Sequence, residues 1–349
     1  MVTKKATVLH QIVRDIFIAA GTGEADADLV AEHLVSSNLR GVDTHGIIQV
    51  PLYVRDIREG RLRPGARPRV ARRIGSGALV DGQWTFGQVS ARFAMEQAIE
   101  LAGDHRMAVV GLVASTHIGR LGHYVEMAAR RQLISIIIGG GYCRDAPRTV
   151  PFGGREGALD TNPIAMGFPG LDEEVPILLD FATTTASGVK VINAQRRGEQ
   201  VPPGWIVDSK GRPTTDPQDF ANGGFFAPFG GHKGYALMFA AEMLGRVFTG
   251  SDTAAEDGPD YPMFRNQGVT MIVFQADLFS PYTDYEARAR ELAEEVRGIP
   301  PAEGFDRVMI PGDPDRATTE QRSRDGIPIA DDIWEQVVEA GRSVGVEVA

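Results

Sequence analysis

The chain has 349 residues, 43% hydrophobic and 23% charged, which is more than one domain of ordinary size needs and far from the composition of a disordered chain. Its 36 basic and 46 acidic residues give a formal net charge of −10, so a nucleic-acid partner is not expected. No run approaches the ~18 apolar residues of a membrane span, and Cys143, the lone cysteine, excludes an intramolecular disulfide and a cluster of thiolate metal ligands. The opening residues read as an amphipathic helix and not as a signal peptide, and a cytoplasmic protein is expected.

In chain order, Val8, Ile12, Val13, Ile16 and Phe17 recur at helical spacing, and Gly21-Thr22-Gly23 ends the run. Asp26 is placed to cap a second helix running to Leu39. A third apolar run, Ile47 to Tyr53, is interrupted by Pro51. Residues 60–75 are basic and rich in Pro and Gly, and read as an exposed connector or domain boundary. Ala78 to Gly82 predicts a short strand and turn, Ser90 to Gly103 a helix, Met107 to Ala114 and Leu133 to Ile138 buried strands, and Tyr124 to Arg131 a helix between them. Ile177-Leu178-Leu179 and Val269 to Phe274 are further strands. Tyr235 to Val247 reads as a long apolar helix, buried rather than on the surface. Helices return at Asp284 to Val296 and Ile333 to Ala340, the latter with Asp331 and Asp332 as caps. Helices at both ends around a strand-rich middle predict that the termini pack together.

The absent motifs narrow the chemistry. No G-x-G-x-x-G follows a predicted strand, no phosphate-binding G-x-x-x-x-G-K-[ST] occurs, and neither H-E-x-x-H nor a G-x-S-x-G elbow is present. The seven histidines are spread without metal-ligand spacing, so no metal is expected.

Five polar segments carry more Gly, His and charge than a core requires. Arg40-Gly41-Val42-Asp43-Thr44-His45-Gly46 sets an imidazole at a helix-to-loop break, where its ordinary pKa of ~6.5 suits proton transfer; a plain turn residue is the alternative. Ser115 to Tyr124 contains His117, Arg120 and His123 between a strand and a helix N-terminus, a natural seat for a phosphate or carboxylate. Val150 to Gly154 and Asp160-Thr161-Asn162-Pro163 specify tight turns. Asp180-Phe181-Ala182 follows a strand, where an acid either holds ribose hydroxyls or caps the next element. Gly230-Gly231-His232-Lys233 enters the apolar helix with a lysine placed to meet a phosphate or carboxylate.

Taken in order, and together with Gly204-Trp205, Asp208, Thr214 to Pro217, Pro311-Gly312-Asp313 and Gly326-Ile327 before Trp334, these segments resemble the type-2 malate/L-lactate dehydrogenase family over nearly the whole chain. That family also includes sulfolactate and ureidoglycolate dehydrogenases, a diketogulonate reductase and cyclic-imine carboxylate reductases. The resemblance implies an α/β fold without a Rossmann domain: a mixed, largely antiparallel sheet of about seven strands. It further implies a helical domain built from both chain ends, a homodimer, and NAD or NADP as cofactor. The division expected here is 1–75 with 300–349 as the helical domain and 76–299 as the NAD(P)-binding sheet domain. No membrane contact is expected.

Carried over, the resemblance makes His45 and His117 the catalytic pair, with the division of labour between them open. It makes Thr44 the replacement of the family's serine; Arg40, Thr44, Gln49 and Arg120 are the residues expected to face the substrate. Asp145, Asp180, Phe181, Ala182, Lys233, Pro311, Gly312 and Asp313 match segments that contact the dinucleotide. The implied reaction is hydride transfer between NAD(P) and a 2-hydroxy or 2-oxo acid of malate, lactate, sulfolactate or ureidoglycolate type. The alternatives are a sugar-acid or cyclic-imine reductase of the same family and a non-catalytic NAD(P)-binding relative. Two positions depart from the family pattern. Gln49 stands where an arginine is usual, and a neutral amide cannot make arginine's bidentate, charge-assisted grip on a carboxylate; Arg40, Arg120, Arg144 and Arg148 are the candidate replacements. Asp160 stands where a glycine is usual.

Overall fold

A computed structural model describes residues 1–348 except 142–145, 171–175, 257 and 260–264. The chain opens with β1 (Val2–Lys4), α1 (Ala6–Ala19), α2 (Glu24–Leu39) and α3 (Val50–Arg58). It continues through β2 (Arg69–Ile74), β3 (Gly77–Asp81), α4 (Gly87–His105), β4 (Met107–Val113), α5 (Gly122–Ala129) and β5 (Leu133–Gly140). Next come β6 (Ile164–Phe168), β7 (Ile177–Phe181), α6 (Gly188–Arg197), β8 (Ile206–Val207), β9 (Pro213–Thr214), α7 (Pro217–Ala221) and β10 (Phe225–Phe226). The last part holds α8 (His232–Glu242), α9 (Ser251–Glu256), β11 (Gly268–Gln275), α10 (Tyr282–Arg297), α11 (Asp313–Asp325), β12 (Ile327–Ile329) and α12 (Asp331–Ser343).

The helical part opens on a clear 3.6-residue period in α1. Leu9, Val13, Ile16 and Phe17 make one buried stripe on α1, and Gly21, at φ +95°, ends the helix in the left-handed conformation that glycine adopts without strain. Asp26 is not a cap. It lies in the first turn of α2, where a carboxylate favours the helix dipole, and it accepts two hydrogen bonds from Arg67 at 2.9 and 2.7 Å. Pro51 sits in the first turn of α3, where its missing N–H costs nothing. The chain ends meet in an antiparallel pairing of β1 with β12, Thr3 opposite Pro328, and Ile327 and Val337 share one core with Leu9, Leu34 and Tyr53.

Seven strands form the main sheet in the order β2-β3-β4-β11-β5-β6-β7. Among the described residues, only β3 and β4 run parallel in this sheet and every other neighbouring pair is antiparallel, which is not a Rossmann crossover series. The central strands are apolar on both faces because α4 and α5 cover one side while α8 and the π-helical turn Met243–Val247 approach the other. Residues 60–75 are not wholly connector, because Arg69–Ile74 is the edge strand of this sheet. Arg69, Arg72 and Arg73 are exposed on it, a charged edge that resists pairing with other strands. A small three-stranded sheet, β10-β8-β9, packs with α6 over its own core of Val191, Ile206 and Phe226.

The apolar helix at 235–247 departs from its predicted burial. Met238 and Ala241 face the sheet, but Leu237, Phe239, Met243 and Val247 are 38–52% exposed. A helix apolar on every side packs only one stripe against a flat sheet, and the opposite stripe is left uncovered in this chain. Among the described residues, no helix is long and apolar enough to cross a membrane.

Candidate active site

Where α2 ends, the chain makes two tight 3-10 turns, Asp43–His45 and Ile47–Gln49. Asn38 organises them: its Nδ2 donates to Asp43 Oδ1 at 2.6 Å and its Oδ1 accepts from Ile47 N at 2.9 Å. Gly46 lies so close that a Cβ there would stand 2.2 Å from Asn38 Oδ1, which explains the glycine after His45. Arg322, from α11, clamps the same turn by donating to both Asp43 oxygens at 2.6 and 3.0 Å and to Asn38 O. Gln49 turns inward, its Nε2 donating to Thr44 O at 2.8 Å, so its amide braces the backbone beside His45.

His117 arrives on the loop leaving β4. Thr116 fixes that loop, its Oγ1 accepting from Gly87 N and donating to Thr85 O. The His117 ring lies 5.2 Å from that of His45, tilted by 31°. Its Nδ1 is 2.7 Å from the hydroxyl of Tyr53 on α3, and Gln88 Nε2 on α4 donates to the same hydroxyl at 2.8 Å. Desolvation, with Arg120 nearby, lowers His45 to about 4; desolvation and the neighbouring His45 lower His117 to about 3. Both imidazoles are therefore neutral at pH 7. A second pair lies behind them: His33 and His123, with ring centroids 4.6 Å apart, and His33 Nε2 accepts from Arg120 N at 3.0 Å. Among the described residues no group of three His, Cys, Asp or Glu side chains is arranged to hold a metal ion.

Arg120 is 1% exposed. It and Arg40, two of the cations considered as replacements for the missing arginine, share one carboxylate. Arg40 Nη2 donates to both oxygens of Glu126 at 2.9 Å, Arg120 Nη2 lies 3.4 Å from Oε2, and Arg130 Nη2 donates to Oε1 at 2.9 Å. Burial alone would raise the Glu126 pKa, but the three guanidinium groups outweigh it and hold the carboxyl below its ordinary range. Arg144 and Asp145 lie outside the described residues. Asp160 is pushed up to about 6 by burial, opposed by Arg148 and the Thr161 backbone.

The Asp180 turn reaches this cluster directly, since Asp180 Oδ2 accepts from Gly122 N at 2.7 Å. A Cβ on Gly122 would stand 2.3 Å from Arg120 Nη1 and 3.3 Å from Asp180 Oδ2, so arginine and aspartate flank a backbone that has no room for a side chain. Phe181 is 39% exposed and meets Phe229 edge-on at 5.7 Å. Phe229 N donates to Thr183 O, and Gly230 and Gly231, at φ +58° and +62°, then turn the chain into α8 with Lys233 exposed in its first turn. Pro311-Gly312 packs beside the start of β7, where a Cβ on Gly312 would lie 3.4 Å from Leu178 N. The Asp313 carboxylate is taken by Arg297 at 2.5 and 3.0 Å, Arg316 at 3.1 Å and Ile310 N at 3.1 Å, so it shapes this turn. The structure thus gathers His45, His117, Arg40 and Arg120 with Asp180, and sets Phe181, Ala182 and Lys233 alongside. Sequence reasoning missed Asn38, Tyr53, Gln88, Glu126 and Arg322; of these only Tyr53, eight residues beyond His45 in an apolar run, left any signal, as a polar-tipped ring among aliphatic residues.

The chain belongs to the malate/L-lactate dehydrogenase family, whose model matches residues 5–338. It is 34% identical to hydroxycarboxylate dehydrogenase B of Escherichia coli K12, covering 98% of this chain and 94% of that one. It is 33% identical to the ureidoglycolate dehydrogenase (NAD(+)) of the same organism, covering 95% and 93%. Among solved structures, the sulfolactate dehydrogenase of Methanocaldococcus jannaschii superposes with a TM-score of 0.88 at 30% identity, covering 99% of this chain and 98% of that one.

Proposed function

We propose that this dehydrogenase interconverts a 2-hydroxy acid and its 2-oxo acid with NAD or NADP, the substrate being of malate, lactate, sulfolactate or ureidoglycolate type. The observation that carries the reading is the His45–His117 pair, 5.2 Å apart, beside Arg120 and linked through Gly122 to the Asp180 turn.

The groups around that turn fit a dinucleotide. The N-terminus of α8 presents first-turn N–H groups with no helical acceptor, Lys233 adds a cation, and a side chain at Gly230 would meet nothing within 4 Å, so a diphosphate has an approach. The exposed Phe181 ring offers an apolar surface, and Asp180 an acceptor for ribose hydroxyls. When bound, the nicotinamide supplies or takes the hydride at the substrate carbon. The chain's own residues handle the proton. Neutral imidazoles suit oxidation, in which a ring accepts the hydroxyl proton; in reduction an imidazolium returns it. An anionic substrate beside His45 raises the proton affinity of that ring, moving it from about 4 toward neutrality.

The test is a panel of 2-hydroxy acids with each coenzyme in turn. Turnover on one class with one coenzyme is expected, and its absence across the panel refutes the reading. Gln49 is turned to Thr44 O, and Arg40 and Arg120 both engage Glu126, so the carboxylate grip does not separate simple 2-hydroxy acids from the second reading, reduction of a sugar acid or cyclic imine, whose substrates carry the same group. The corresponding 2-oxo sugar acids and cyclic-imine carboxylates belong in the same panel.

We also propose that two copies associate through the uncovered stripe of α8 and the π-helical turn that follows it, since Phe239, Val247 and Phe248 are 50–64% exposed there, apolar area that association would remove from water.

A further inference from the structure

We propose that Tyr53 and Gln88 are positioning residues that hold the single proton of neutral His117 on Nε2. His117 then donates a hydrogen bond to the substrate oxygen, and His45 takes the hydroxyl proton. The inference rests on the dehydrogenase reading and assigns the two histidines their separate parts.

The Tyr53 hydroxyl has one proton and accepts from Gln88 Nε2 at 2.8 Å, so that proton is directed to His117 Nδ1 at 2.7 Å. A nitrogen that accepts carries no proton, and the neutral ring therefore bears its proton on Nε2. Water does not relax the arrangement, because Tyr53 and Gln88 are 1% and 0% exposed. Packing holds the hydroxyl in place: the Tyr53 ring lies 6.2 Å from Phe17 and 5.9 Å from Phe86, and Gln88 is fixed in the first turn of α4. Protonating His117 on Nδ1 would set an N–H against an O–H with the Gln88 donor already behind it, so this ring resists becoming an imidazolium. A neutral imidazole that donates polarises a carbonyl without itself exchanging the proton.

His45 differs. Its Nδ1 is buried with no hydrogen-bond partner among the described residues, and none of the described hydrogen bonds engages its ring. That imidazole keeps an uncommitted lone pair beside its neighbour. In oxidation the carbinol carbon gives its hydrogen with the bonding pair to the oxidised nicotinamide and the hydroxyl gives its proton to His45. The carbonyl oxygen left behind accepts from His117 Nε2–H.

The test is long-range 15N–1H NMR of the intact protein labelled at histidine, with His117→Gln and His45→Gln assigning the signals. Wild type is expected to show His117 as the Nε2–H tautomer. Gln88→Glu replaces the donor behind Tyr53 with an acceptor, so the hydroxyl turns round and the proton of His117 moves to Nδ1. An Nδ1–H tautomer in wild type overturns the proposal, and so does an unchanged His117 signal in folded Gln88→Glu; if that variant does not fold, the wild-type spectrum decides. In turnover, His45→Gln is expected to lose roughly 10²–10⁴-fold together with the acidic limb of the pH–rate profile. His117→Gln is expected to lose rate evenly across pH and keep that limb; the reverse pattern overturns the assignment. Failure of the dehydrogenase reading shows separately, as no wild-type turnover on any substrate, and defeats the part given to His45 whatever the tautomer.

Discussion

The His45 and His117 imidazoles make stability fall on acidification in a narrow and calculable window. His117 has an ordinary pKa of 6.5 and a folded value of about 3; His45 falls from 6.5 to about 4. Below pH 6.5 the unfolded chain binds a proton at each that the folded chain refuses, so stability falls as pH falls, by about 1.4 kcal/mol per pH unit per ring. The contribution is intact above 6.5, is lost progressively down to the folded values, and changes no further below them. At pH 5 each ring has cost about 2 kcal/mol, and the pair about 4 kcal/mol, an upper figure because both rings are only half-buried. Urea unfolding followed by tryptophan fluorescence at pH 7.5 and pH 5.0 measures the drop. His117→Gln removes one titrating ring and is expected to shrink it by about 2 kcal/mol, even though the variant starts from lower stability at pH 7.5. An equal drop in wild type and variant refutes the reasoning.

Other outcomes follow from single contacts. Gly122→Ala adds a methyl 2.3 Å from the buried Arg120 guanidinium; overpacking of about 1–3 kcal/mol outweighs the alanine's helix preference and turnover falls, as thermal unfolding and kinetics on one preparation would show. Arg322→Ala frees the half-exposed Asp43, so stability changes by under ~1 kcal/mol while turnover falls more, because the His45 turn loses its clamp. Lys233→Ala is expected to weaken dinucleotide binding roughly tenfold, about 1.4 kcal/mol, in a fluorescence titration, and to reduce its salt dependence. Phe239→Glu puts charge on the uncovered stripe of α8 and is expected to halve the mass found by sedimentation.

What the sequence made legible was local. The stripe of Leu9, Val13, Ile16 and Phe17 and the β-branched runs at 133–138 and 269–274 depend on periodicity and short-range composition, and the helices and strands formed there. Asp26 was misread because a carboxylate in the first turn satisfies the same dipole as a cap, and its partner Arg67 lies 41 residues away. The partners of the motif histidines were illegible for the same reason. Tyr53 is 64 residues from His117, and Glu126 is 86 from Arg40, distances at which no spacing rule operates. Gln49 is visible as a missing cation, but its use as a brace for Thr44 O emerges only once the turn is folded. The exposed stripe of α8 was unreadable because apolar composition does not say how many faces a sheet will cover.

The Asp43–Arg322 clamp spans 279 residues, and β1 cannot pair until β12 exists. During synthesis the central sheet has all its strands once residue 275 has left the ribosome, but the His45 turn waits for α11. A nascent chain stalled between these points would have a nearly complete scaffold and an unfinished reaction centre, so competence is acquired late, in one step, as the final helices dock.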